Sequence, residues 1–404
     1  MKSYQRLVEE FSRRIEDGVL LPGDRLPSVR SVSASRHVSP ETVLRAYRVL
    51  EDGGKIKTRP RSGHYVDAHW RQAALELPVS KPANVATLVN VRDLLFDVLA
   101  ATKRSGVVSF GSAYPGAEHF PRDRLARAMH ASARVLDPNS IYESLPLGNQ
   151  ELRRLISRRY LEVGCDVSPE EIVITSGGLE ALNLCLQAVT RPGDLVAIES
   201  PAFYLALEAI ERLGLRALEL PTHPRDGVDL AALAAALQRH PVKACWLMTN
   251  FQNPLGSLMH TDGKRDLVRL LAQHDVVLIE DDVYAELYFC KTRPPPAKAF
   301  DRGGRVLHCG SFSKCLAPGY RVGWATPGRH AARVERAKLT TTIATSLPAQ
   351  AAIVEFLKHG AYNNHLRRLR CALEANQRRM AQAIATHFPA GTAMTAPVGG
   401  LTRP

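Results

Sequence analysis

The segment Gly310-Ser-Phe-Ser-Lys-Cys-Leu-Ala-Pro-Gly-Tyr-Arg-Val-Gly-Trp324 gathers the residues with the most chemistry to offer. Lys314 follows closely on two hydroxyls, Ser311 and Ser313, and precedes Arg321 by seven positions. A deprotonated lysine amine is a nucleophile toward carbonyl carbon. Neutral hydroxyl donors and a fixed, forked guanidinium suit a dianionic phosphate nearby. The spacing predicts an amine, that of Lys314, which condenses with a carbonyl compound carrying a phosphate. A single lysine in a Ser/Gly loop is an ordinary solvated charge; four further segments make it more than that.

An apolar run, Val276 to Ile279, ends in Glu280-Asp281-Asp282-Val-Tyr284. A carboxylate at a strand's C-terminal edge is well placed to meet a ligand in an α/β fold. Thr249-Asn250-Phe-Gln-Asn253-Pro-Leu-Gly256 follows a second apolar strand, Ala244 to Met248. Thr175-Ser-Gly177-Gly178-Leu179 lies between a strand at Glu171–Ile174 and an amphipathic helix marked by Leu179, Leu182 and Leu186. Strand, glycine turn and helix start aim backbone N–H groups and a helix dipole at phosphate. Glu199-Ser-Pro-Ala-Phe203 adds a ring able to stack on a flat heterocycle.

In order and spacing these five segments resemble the fold-type I aminotransferases. The resemblance implies pyridoxal 5′-phosphate (PLP) as cofactor, with Lys314 as the Schiff-base lysine. It assigns Asp281 to the pyridinium nitrogen, which stays protonated so that the ring acts as an electron sink. Tyr284 and Asn253 fall to the ring hydroxyl and Phe203 to the ring face. The amides of Gly177, Gly178 and Leu179 fall to the phosphate, with Ser311, Ser313 and Arg321. The family often has Ser-Gln where this chain has Gly178-Leu179, so phosphate binding here is expected to lean on backbone.

An enzyme of that fold needs nothing like the first seventy residues. Tyr4, Leu7, Val8, Phe11 and Ile15 recur at helical spacing. Ser28 to about Arg36 reads as a short second helix. Ser39-Pro40-Glu41 supplies an N-cap, a first-turn proline and an acid for a third. In it Val43, Ala46, Tyr47 and Leu50 face the core. Lys55–Thr58 and His64–Val66 flank Arg59-Pro-Arg61-Ser-Gly63 as a basic hairpin. Three helices and a hairpin predict an α+β winged helix-turn-helix, and Pro22-Gly-Asp-Arg-Leu-Pro-Ser-Val-Arg30 with the wing resembles the GntR-type DNA-binding domain. Over 1–71 there are fourteen Lys/Arg against nine Asp/Glu, a balance that favours phosphate backbones. Arg30, Arg59, Arg61 and Gly63 are candidate backbone and wing contacts. Ser39, Glu41, Thr42 and Arg45 are candidates for base edges.

The combination resembles the MocR subfamily of GntR-type transcriptional regulators. That implies a multidomain chain: reader at 1–67, linker at 68–95, and an α/β fold-type I aminotransferase-like body at 96–404. It further implies double-stranded DNA and a small amino-compound effector, or PLP itself, as partners. A head-to-tail homodimer follows, in which Tyr142 reaches the neighbour's phosphate. The alternative is a working aminotransferase with an accessory DNA-binding domain. In the resembled family Pro397-x-Gly-Gly400 opens a strand of a small domain that continues further and carries the arginine for a substrate carboxylate. The chain is therefore expected to be C-terminally truncated, which weighs against turnover. A net charge of +13 suits a nucleic-acid partner. Seven scattered cysteines without a C-x-x-C pair point to reduced thiols in cytoplasm and to no metal site. The absence of an eighteen-residue apolar run predicts no membrane span.

Overall fold

The computed structural model describes residues 3–404 apart from Pro22, Gly53, Pro60, Arg61, 68–75, Asn84, 90–99, 101–105, 107–110, Ser112, Pro138, His359 and Ala390. It divides into two compact units, 1–77 with 371–394 and 78–370 with 395–404.

In the first unit the apolar spacing becomes α1 (Ser3–Glu16), α2 (Val29–Arg36) and α3 (Pro40–Asp52). Leu7, Phe11 and Ile15 of α1 pack with Val43, Ala46, Tyr47 and Leu50 of α3 in one buried cluster. The Tyr47 hydroxyl donates to the Pro27 carbonyl at 2.7 Å, so its polar tip is satisfied inside that core. The Ser28 hydroxyl accepts the Ser31 N–H and the Ser39 hydroxyl the Thr42 N–H, both at 3.2 Å, which fixes where α2 and α3 begin. Strands β1 (Ile56–Arg59) and β2 (Gly63–Val66) pair antiparallel, Ile56 opposite Val66 and Arg59 opposite Gly63. Each runs one residue nearer the wing tip than the sequence predicts at that end. Gly63 has φ +115°, and a Cβ there would lie 3.2 Å from Arg25 Nε. Gln382 Nε2, from the 371–394 part of this unit, donates to Asp67 Oδ2 at 3.0 Å.

The second unit is built on strands β3 (Thr87–Leu88), β4 (Val173–Thr175), β5 (Leu195–Ser200), β6 (Arg216–His223), β7 (Gly227–Val228), β8 (Val242–Leu247), β9 (Val277–Asp281), β10 (Val306–Ser311) and β11 (Gly323–Thr326). They form one sheet in the order β3-β6-β5-β8-β9-β10-β11-β4, with β7 on β6. The five from β6 to β10 in that order run parallel, β3 and β11 run against them, and β4, antiparallel to β11, runs with them. Their near-continuous apolar runs reflect burial on both faces. Helix α4 (Arg122–Ala133), α5 (Ser140–Ser144) and α6 (Gln150–Leu161) precede β4. One face is covered by α7 (Gly178–Val189) and α8 (Tyr204–Arg212), where Leu182, Cys185, Leu186 and Ile210 meet Val196, Ile198, Trp246 and Ile279. The other is covered by α9 (Leu230–Arg239) and α10 (Thr261–Gln273), where Leu233, Leu267 and Leu271 meet Leu218, Leu247 and Leu278. Helices α11 (Ala331–Thr341) and α12 (Leu347–Lys358) follow β11, and α13 (Ala361–His387) belongs to this unit only as far as Arg370.

One expectation is corrected. Part of the 68–95 linker belongs to the sheet: Thr87 and Leu88 pair with Ala217 and Arg216, and the Ser80 hydroxyl accepts the Thr222 N–H at 2.9 Å. An open β6 edge would leave its backbone groups unpaired, and this segment covers them. Among the described residues no helix is long and apolar enough to cross a membrane.

Candidate cofactor site and DNA-reading surface

The C-terminal ends of β8, β9 and β10 and the start of α7 open on one pocket. Lys314, Asp281, Tyr284, Asn253, Phe203, Gly178, Leu179, Ser311, Ser313 and Arg321 all line it. Asp281 is the last residue of β9, opposite Cys309 in β10, and Ser311 is the last of β10. Strand register therefore brings the carboxylate and the lysine-bearing turn to one edge, the usual ligand edge of an open α/β sheet.

Burial sets the electrostatics. It pushes the Asp281 carboxyl up to about 7, against the pull of the Val283 N–H and the Trp246 side chain. Burial also brings the Lys314 amine down to about 8, with Asp281 opposing and Arg321 assisting. The Tyr284 phenol is pushed above its ordinary range by burial and by Asp281, while Asn253 Nδ2 donates to its oxygen at 3.4 Å. An amine and a carboxyl both displaced toward neutrality in one cleft mark a site built for proton and amine chemistry. The Lys314 ammonium donates to the Ala113 carbonyl at 2.8 Å and lies 3.3 Å from the Tyr114 ring centroid.

The end of the pocket at Arg321 is tightly packed. Arg321 Nη1 donates to the Ser313 hydroxyl at 3.2 Å and Nη2 to the Ser176 carbonyl at 3.4 Å. The Ser311 hydroxyl accepts the Ser313 N–H at 3.1 Å. Gly177 is not among the residues lining the pocket, and its N–H donates to the Thr175 carbonyl at 2.8 Å. What position 177 requires is the absence of a side chain, since with φ +93° a Cβ would lie 2.5 Å from Arg321 Nη2. Tyr142 is outside the pocket lining, with its side chain 75% exposed.

Tyr114, Leu182, Leu205, Met248 and Val283 also line the pocket, and the sequence reading assigned none of them to it. Met248 follows β8 as Asp282 follows β9, so the strand-end rule that found Asp281 applies to it as well. Tyr114 sits in Ala113-Tyr-Pro-Gly116, which has no periodicity to flag it.

On the reader, Arg30, Ser39, Glu41, Arg45 and Arg59 are exposed and Thr42 is half-buried. Ser39 and Thr42 hydroxyls bond each other at 2.9 Å at the start of α3. Arg45 lies over the Tyr4 ring at 4.3 Å and Arg59 over the Tyr65 ring at 4.6 Å, which holds both guanidiniums close to the surface. Arg61 falls outside the described residues.

Comparison with known proteins agrees with both halves. Residues 109–401 match aminotransferase class I and II, and residues 3–66 match the gntR family of bacterial regulatory proteins. The uncharacterized HTH-type transcriptional regulator YdcR of Escherichia coli strain K12 is 48% identical over 392 residues, covering 96% of this chain and 83% of YdcR. The uncharacterized HTH-type transcriptional regulator YjiR of the same strain is 36% identical over 403 residues, covering 99% and 85%. The crystal structure of LysN, an α-aminoadipate aminotransferase from Thermus thermophilus complexed with N-(5′-phosphopyridoxyl)-L-leucine, is similar at a TM-score of 0.67 and 30% identity over 77% of each chain. The chain therefore belongs to the gntR family of bacterial regulators, in the MocR-type arrangement that joins such a reader to a class I and II aminotransferase domain. Members of that aminotransferase fold bind PLP. The donor set here fits it: a buried carboxylate, a half-buried amine, an aromatic face, and hydroxyl and guanidinium donors beside a helix start.

Proposed function

We propose that this DNA-binding regulator couples its winged helix-turn-helix to a PLP site at Lys314, and that PLP or a small amino compound reacting with it is the signal. The observation that carries this is one pocket holding Lys314, Asp281 and Arg321 in a chain that also carries a DNA reader. Bound PLP supplies an aldehyde that exchanges amines and a ring that withdraws electrons. The chain's residues do the rest. Lys314, brought down to about 8, has a substantial neutral fraction near pH ~7.5. Asp281 would hold a proton at the ring nitrogen, Tyr284 and Asn253 would orient the ring oxygen, and Phe203 would cover the ring. Gly178 and Leu179 amides, Ser311, Ser313 and Arg321 would hold the phosphate.

The exposed Tyr142, outside its own pocket, supports a head-to-tail homodimer in which it serves the neighbour's phosphate. On DNA, Arg30, Arg59, Arg61 and Gly63 would meet phosphates while Glu41 and Arg45 address base edges. The test is a binding assay on DNA upstream of the protein's own operon, with and without PLP and a panel of amines. A salt-sensitive, sequence-selective complex whose affinity changes with PLP or an amine is expected. Lack of selective binding overturns the regulator, and indifference to both compounds overturns the sensor. The intact Lys314, Asp281, Tyr284, Asn253 and Arg321 set also favours a second reading, a PLP-dependent aminotransferase. Sustained amino-group transfer from any amino acid in a panel would promote it.

A further inference from the structure

Behind the phosphate-facing turn lies an ion pair that lines no part of the pocket. Lys338, in α11, is fully buried. Its ammonium donates to Glu180 Oε2 at 2.8 Å, to Thr342 Oγ1 at 2.7 Å and to Thr345 Oγ1 at 3.1 Å. Three acceptors satisfy its three protons. Glu180, in the first turn of α7, also accepts from the Thr342 hydroxyl at 2.6 Å and from the backbone N–H of Ser176. Burial pushes the Glu180 carboxyl up, yet its bonds to Lys338, Thr342 and Ser176 outweigh that and hold it below the usual range. Thr345 ties the cluster to the framework: its hydroxyl donates to the Ile174 carbonyl of β4 at 3.4 Å, and its carbonyl accepts from Gln350 Nε2 at 2.8 Å.

We propose that Glu180 and Lys338 are positioning residues for the cofactor phosphate, pinning Ser176 from behind so that the turn after β4 presents its amides in register with Arg321. The inference rests on the PLP site proposed above. Ser176 is the joint between the two groups: its N–H is held by Glu180 and its carbonyl accepts from Arg321. A shift at Ser176 therefore moves the turn and the guanidinium together. Charge supplies a second reason. A carboxylate in the first turn of a helix whose start receives a dianion repels that dianion, and in a low-dielectric interior the repulsion is weakly screened. Lys338 cancels it. Removing Lys338 leaves the half-buried Glu180 without its cation, the costly way to break such a pair.

The test is an equilibrium titration of the full chain with PLP and with pyridoxal, which lacks the phosphate, followed by absorbance. Lys338→Met is expected to weaken PLP about tenfold or more, the range of a charged hydrogen bond, while pyridoxal changes by less than about twofold. The double variant E180Q/K338M leaves no lone buried charge, and serves if K338M fails to fold. It is expected to weaken PLP selectively too, because Ser176 and the 342–345 loop lose their common anchor. PLP bound as tightly by both variants as by the parent overturns the inference. Equal weakening of PLP and pyridoxal overturns it as well, since a merely structural role moves both. A parent that binds neither aldehyde overturns the cofactor site itself, an outcome distinct from a parent that binds PLP and variants that match it.

Discussion

Lys314 and Asp281 are displaced from their ordinary titration ranges by the same cause, loss of water, and the two shifts have separate consequences. With the amine brought down from 10.5 to about 8, the nucleophilic fraction rises through the pH range just above neutral. The second-order rate of PLP capture should climb with a midpoint near 8, measured by stopped-flow absorbance at constant ionic strength; a midpoint near 10.5 would show that the amine is solvated. Asp281 goes the other way, from 3.8 to about 7. The folded chain then holds that proton more tightly than the unfolded chain does. Its contribution to stability is full below about pH 4 and is lost as pH rises through about 7. Asp281→Asn should consequently stabilise the cofactor-free protein by roughly 1–4 kcal/mol at about pH 8 and by almost nothing near pH ~4. Urea unfolding at the two pH values checks it. The same substitution removes the proposed partner of the ring nitrogen, a trade of function against stability common at such sites.

At the scale of elements, the site depends on glycines that let three backbone segments touch. A Cβ at Gly323 would lie 2.6 Å from Gly177 C, 2.7 Å from Gly178 N and 2.9 Å from Gly310 O, all main-chain atoms that no rotamer change can move. Gly323→Ala is expected to destabilise by about 1–3 kcal/mol and to weaken PLP with it. Gly319→Ala, with nothing within 4 Å, should do neither. Thermal melts and PLP titration of the two variants make the comparison. This contact was invisible in the sequence, because β11 meets the start of α7 only after a long intervening chain has folded. Contiguous patterns were legible: the α1 stripe of Leu7, Phe11 and Ile15, the Ser39-Pro40-Glu41 start of α3, and the strand-end Asp281. Features set by tertiary approach were not. Tyr114 over Lys314, the Gly177 amide turned into its own loop, and Thr87–Leu88 completing the β6 edge each depend on what a distant segment leaves open.

At the scale of the whole molecule, the DNA reader and the pocket at Lys314 fall in different compact units. The reader end, residues 1–71, carries fourteen basic against nine acidic residues, within a chain of net charge +13. Nonspecific DNA affinity is then an ion-release property, falling steeply as salt rises. Arg59 is exposed on β1 and stacked on Tyr65, and its proposed role is to meet one phosphate. Arg59→Ala should weaken binding to all sequences alike and reduce the slope of log affinity against log salt by roughly 0.9. Lys314→Ala changes one charge far along the sequence, at the end of a different sheet. It should abolish the adduct that borohydride fixes to the protein while nonspecific affinity and salt slope stay the same within about twofold. Anisotropy titrations of labelled duplex at several salt concentrations, run on both variants, separate the two effects. If Lys314→Ala shifts the salt slope as Arg59→Ala does, the lysine contributes to the DNA surface and the two functions are not divided between the units.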